Sequence, residues 1–202
     1  MRRRWPLAIV AAVLALALFF AQRAISDRPF PSNTTPDGAY VRIGRAITEG
    51  QPRAAFAYLE TEAQWAAYSI RDLRSKATER VRASYPLDQR AAAVAPWAEE
   101  ASAPDGADVF ALLAAQRGWI ARLERDLSGA ASVEIHGDRA TVVTGRGTRY
   151  PFHRRDNGMW GLTLFTAELQ AEAERAARDL EVVERAAGDY ERAAQSGEGR
   201  GR

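Results

Sequence analysis

Hydrophobic positions fall along this chain in three regimes. Residues 7–21 are an unbroken apolar run. From Gly38 to Leu127, and again from Ala167 to Ala194, apolar residues recur at steps of three and four, the spacing that puts them on one face of a helix. Between Val133 and Leu164 the step becomes two, the spacing of a strand with one buried face.

In the first regime Arg2, Arg3 and Arg4 precede Trp5, Pro6 and the apolar run. Fixed positive charge before a hydrophobic segment holds the N-terminus in the cytoplasm. The stretch from Trp5 to Ala21 would make about 25 Å of helix, the short end of what spans a hydrocarbon core. A cleaved secretory signal would instead need two small residues around its cleavage site. Ala21 has Phe19 two positions upstream and Ala24 has Gln22, so neither pair suits. An uncleaved transmembrane signal anchor over residues 1–25 is therefore expected, single-pass in a bacterial inner membrane, with the remainder periplasmic or otherwise extracytoplasmic. Residues 26–37 carry Pro29, Pro31 and Pro36 among short polar residues and read as an extended linker. Asn33-Thr34-Thr35 has the form of a glycosylation sequon but is read as plain linker.

The domain proper is expected over 38–166. Tyr40, Ile43 and Ile47 mark a first helix that stops at Glu49-Gly50, and Pro52 opens a short second one carrying Phe56 and Leu59. Thr61-Glu62-Ala63-Gln64 has the form of a capping box. The helix it opens has the stripe Ala66, Ile70, Leu73, Ala77 and Val81, flanked by Trp65 and Tyr68. Leu87 to Ala101 is weaker helix around Pro96-Trp97, and Val109, Leu113, Ile120, Leu123 and Leu127 predict one further amphipathic helix.

Val133 and Ile135, Ala140 and Val142, Tyr150 and Phe152, and Trp160, Leu162 and Leu164 then alternate with polar residues across turns at Gly137-Asp138, Gly145-Arg146-Gly147 and Asp156-Asn157-Gly158. This predicts an antiparallel meander of about four strands with one apolar face. Over 167–194, Leu169, Ala173, Ala176, Leu180, Val183, Ala187, Tyr190 and Ala194 trace a long C-terminal helix whose small seam residues bury little area. It is expected to pack on its own domain or to serve a protein partner or self-association. Residues 195–202 read as a disordered tail. The fold class is α+β.

Composition narrows the function. The chain has 202 residues and a formal charge of +2; without Arg2, Arg3 and Arg4 its 28 basic residues fall to 25 against 26 acidic, so no nucleic-acid footprint remains. Lys76 is its one lysine, and the arginine- and alanine-rich usage points to a GC-rich bacterial genome. The absence of cysteine removes disulfides, thiolate catalysis, thiolate metal sites and a lipid-modified N-terminal cysteine. No phosphate loop, nucleophile elbow or His-Glu-x-x-His motif is present. Strand alternation puts His136 and His153 on the solvated face with Glu134, Arg149 and Thr141. A metal site from both histidines with Glu134 and Asp138 is conceivable but not demanded by spacing. Most aromatics are expected to fill core, while Trp65, Trp119, Tyr150 and Trp160 are the candidates to line a pocket between helices and sheet, with Glu60, Glu62 and Asp72 as acidic neighbours.

The order of elements carries a resemblance. Ala39-Tyr40-Val41, Ala46-Ile47-Thr48-Glu49-Gly50 and Ala54-Ala55-Phe56-Ala57-Tyr58-Leu59 are followed by Gly137-Asp138-Arg139-Ala140-Thr141-Val142, Tyr150-Pro151-Phe152-His153 and Asp156-Asn157-Gly158-Met159-Trp160-Gly161-Leu162. Over about 36–166 this is similar to the nuclear-transport-factor-two-like (cystatin-like α+β) superfamily, especially its small bacterial membrane-anchored or lipoprotein-type members. The resemblance implies helices packed in the hollow of a bent sheet, a cone in which that superfamily's enzymes place an Asp/His or Tyr/Asp set. Here the matching positions, Val133, Ile135, Ala140, Val142, Tyr150, Phe152, Trp160 and Leu162, offer only the Tyr150 hydroxyl. The expectation is a non-catalytic envelope domain for binding or scaffolding, without catalytic residues, cofactor or metal. The alternative is a small-molecule lyase, isomerase or hydrolase using the pocket.

Overall fold

The computed structural model describes residues 31–199. The expected anchor and the first part of the linker, 26–30, lie outside them, and no helix of the described residues is long and apolar enough to cross a membrane. The first helix, α1 (Pro36–Thr48), begins inside the expected linker because Thr35 caps it, its hydroxyl accepting from the Gly38 N–H, with Pro36 pre-set in the first turn. At its other end Gly50 takes a φ of +67°. The Gly50 N–H then reaches the Ile47 carbonyl and the Gln51 N–H the Ala46 carbonyl, the glycine closure predicted from the sequence.

A short helix α2 (Pro52–Ala55) and a 3-10 turn (Phe56–Tyr58) lead to α3 (Thr61–Ser84). The expected capping box is not formed. Glu60 occupies the cap position in extended conformation without capping through its side chain. The Gln64 amide turns back to donate to the carbonyls of Phe56, Ala57 and Leu59. Helices α4 (Leu87–Val94) and α5 (Ala98–Ser102) flank a 3-10 turn around Pro96. The single helix expected over 109–127 is instead two, α6 (Gly106–Gln116) and α7 (Trp119–Asp126), because Gly118 breaks it at a φ of +66°.

The meander forms as predicted: β1 (Ala130–His136), β2 (Arg139–Thr144), β3 (Arg149–Arg154) and β4 (Trp160–Leu162) pair antiparallel in sequence order. Ala140, Val142, Tyr150, Phe152, Trp160 and Leu162 are buried on the inner face, with Leu59 adding a parallel bridge beside Leu162. Two expected inward positions differ. Val133 is only half-buried, and Ile135 is 55% exposed. β1 is an edge strand, and Ile135 lies at its hairpin end among exposed His136, Gly137 and Asp138, past the cover of the helices.

The C-terminal helix α8 (Thr166–Gly199) continues beyond Ala194 into the stretch expected as a tail. Its predicted seam is the packed face: Leu169, Ala176, Val183 and Ala187 are buried. It rests along α3 and not on the sheet. Arg74 meets Asp179, Arg80 meets Glu191 and Tyr85 meets Tyr190, so the two helices run side by side in the same direction. The main core joins α1, α3, α6, α7, the sheet, Phe165 and Leu169, while a smaller cluster of Ala77, Val81, Val183, Tyr85 and Trp97 holds the far ends of α3 and α8.

Candidate functional site

The hollow between helices and sheet is packed with rings. Trp119 stacks on Phe165 at 4.8 Å and 16°, and Phe110 lies 5.9 Å from both Phe56 and Phe165. The Tyr40 hydroxyl donates to the Ser128 carbonyl at 2.7 Å, and its ring sits 5.2 Å from Tyr150. Burial, reinforced by the neighbouring Tyr40, pushes the Tyr150 phenol up to about 12, so it stays neutral and is no base at physiological pH. Of the four residues proposed to line a pocket, Trp119, Tyr150 and Trp160 are brought together as core. Trp65 is not among them: it is 67% exposed on α3, beside an open groove formed with Glu62, Ala66, Ser69, Gln170, Ala173 and Glu174. Asp72 lies on the surface beside Arg71, at 3.0 Å.

The polar residues converge elsewhere, on the outer face of the sheet. His153 on β3 pairs in register with Gly161 on β4, and Gly161 abuts the backbone of Glu60. A Cβ on Gly161 would come within 2.5 Å of the Glu60 Cα, so only glycine allows the chain before α3 to lie against β4 here. The Glu60 N–H donates to the Leu162 carbonyl at 3.1 Å, and the Arg155 guanidinium donates to the Ala57 and Leu59 carbonyls, fixing the approach. With no side chain at 161 to separate them, the Glu60 carboxylate and the His153 ring meet. His153 Nδ1 lies 3.6 Å from Glu60 Oε2, and its Nε2 lies 3.2 Å from Asp138 Oδ2. The Thr166 hydroxyl, at the start of α8, donates to Glu60 Oε1. Glu62 stands beside them, so that Glu60, Glu62 and His153 each present a ligand atom within 4.8 Å of the others.

The set with both histidines, Glu134 and Asp138 does not assemble as conceived. Asp138 reaches His153, but Glu134 is held by Arg149 at 2.5 Å and is drawn below its usual carboxylate range chiefly by that hydrogen bond.

A second group of charges is buried between α3, α5 and α8. Arg74, 4% exposed, donates to Glu100 at 3.0 Å and Asp179 at 2.5 Å and approaches Glu172 at 3.5 Å. Arg117 also pairs with Glu172, and Arg74 lies 5.2 Å over the Trp97 ring. Burial pushes the Glu100 carboxyl up against the pull of Arg74. Fully paired ions of this kind fix how helices sit together, and they leave no group free for chemistry.

The sequence pattern puts Glu60 beside the expected pocket and His153 on the solvated face, so neither cluster is legible in it. The available signal was Gly161 itself, a glycine between two buried positions of a strand, which marks a close backbone approach. No family model, curated protein or solved structure matches this chain.

Proposed function

We propose that this chain is a non-catalytic binding or scaffolding protein of the bacterial cell envelope, carried on a signal anchor at residues 1–25 with the folded domain outside the cytoplasm. One observation supports this reading above the enzymatic one. The space in which a cone-type enzyme would keep its polar pair holds the stacked rings of Trp119, Phe165 and Phe110 and the neutral phenols of Tyr40 and Tyr150. A lyase, isomerase or hydrolase working there would need a titratable pair and room for a substrate. The Arg2–Arg4 flank before the apolar run supports the location.

The chain contains no cysteine, which allows a direct test. In intact cells, full-length Ser196→Cys should react with a membrane-impermeant maleimide without permeabilisation. The mature mass should include the N-terminal segment. Labelling only after lysis, or a mass that begins near Ile25, sinks the anchored reading. Turnover of a small metabolite that is lost on Tyr150→Phe sinks the non-catalytic one.

A further inference from the structure

We propose that Glu60, Glu62 and His153 bind a divalent transition-metal ion, of which zinc is the best match, on the outer face of the sheet. The proposal is independent of where the domain resides and of whether it has an enzymatic activity.

Three observations carry it. The first is the donor set: one imidazole nitrogen and two carboxylate oxygens within 4.8 Å of one another, a mixture that suits borderline ions and leaves a position open to water or an exogenous group. Two ligands at zinc distances and a tetrahedral angle stand about 3.4 Å apart, and His153 Nδ1 and Glu60 Oε2 stand 3.6 Å apart.

The second is the state of the atoms that face each other. Asp138 lies 3.2 Å from Nε2, and a ring proton on that nitrogen leaves the Nδ1 lone pair facing Glu60. Glu60 is 8% exposed; its Oε1 accepts from Thr166, while Oε2 receives no hydrogen bond among the described residues. A lone pair aimed at a carboxylate oxygen is repulsive, and a cation or a proton between the two relieves it.

The third is support from behind the ligands. A carboxylate on the far nitrogen of a histidine and a hydroxyl on the far oxygen of a carboxylate are the partners that orient metal ligands and fix their tautomer. Asp138 and Thr166 stand in those places. Exposed Glu62, in the first turn of α3, closes the set from the solvent side.

The test uses full-length protein in detergent, stripped with a chelator and titrated with zinc chloride. One equivalent should bind, and the melting temperature should rise with zinc concentration. His153→Ala and Glu62→Gln should each weaken binding at least tenfold, and Asp138→Asn should weaken it by about tenfold through the ring it orients. His136→Ala, at the other histidine, should bind as the parent does. Glu62 is exposed, so its variant reports even if a change at Glu60 or His153 impairs folding. Equal zinc affinity in His153→Ala overturns the assignment. So does an imidazole signal showing His153 doubly protonated at neutral pH and unmoved by zinc, because the proton would then fill the place given to the metal.

Discussion

Gly161 shows how much can depend on a missing side chain. A Cβ in place of its hydrogen would stand 2.5 Å from the Glu60 Cα, and the obstacle is backbone, which cannot swing aside. Gly161→Ala should cost about 1–3 kcal/mol, the range for overpacking a closed site. Chemical denaturation of the full chain measures it, and zinc affinity should fall with it because Glu60 is displaced from His153. Trp160, the preceding residue, makes the opposite contribution. It is buried on the inner face, and Trp160→Ala should cost about 3–5 kcal/mol. A loss under 1 kcal/mol would mean that the alternation along β4 runs the other way.

At the scale of elements, α3 and α8 behave as one unit. The sequence pattern placed the domain proper over 38–166 and left the helix after it to pack on that domain or against a partner. The packing decides for the first: Leu169 belongs to the main core, Val183 and Ala187 are buried farther along, and Glu172 answers Arg74 and Arg117. A chain ending at residue 165 would leave Arg74 facing Glu100 beside an opened apolar face of α3. Such a chain should lose its cooperative thermal transition, as read by circular dichroism. Arg74→Leu tests the charged joint alone. Removing one partner of a buried ion group strands the others, at about 3–5 kcal/mol. Part of that loss should return on acidification, since protonating Glu100, already pushed up by burial, removes one of the stranded anions.

For the whole molecule, stability should depend on pH through the ion pairs that tie the far ends of these helices. Hydrogen bonds from Arg80, with a further one from Ser84, draw Glu191 down from 4.5 to about 2. A carboxylate depressed in the folded state adds stability that is present above its unfolded value. That stability is lost as the pH falls from 4.5 toward about 2. Arg80→Gln removes the cause, so its acid-unfolding midpoint should lie at higher pH than the parent's, while the two chains converge near pH 2. Because the pair is solvent-exposed, the difference should shrink in high salt.

Local rules were enough wherever neighbours in sequence decide the outcome. The meander, its turns, the glycine stop at Gly50 and the seam of α8 follow from alternation, helical spacing and the φ > 0 that glycine alone adopts without strain. The pairing of His153 with the solvated face was legible for the same reason. The sequence was silent where the outcome depends on which element lies beside which. Periodicity shows that Ile135 alternates correctly but not that an edge strand runs past its cover. It assigns a seam to α8 but not the helix that fills it, and it spreads aromatics along the chain without showing that Trp65 alone of its four pocket candidates stays outside. The cluster at Glu60 needed three segments far apart in the chain to meet over one glycine. Only the tertiary structure brings them together, because contact across a sheet is set by the register of the strands and by the backbone packed against them.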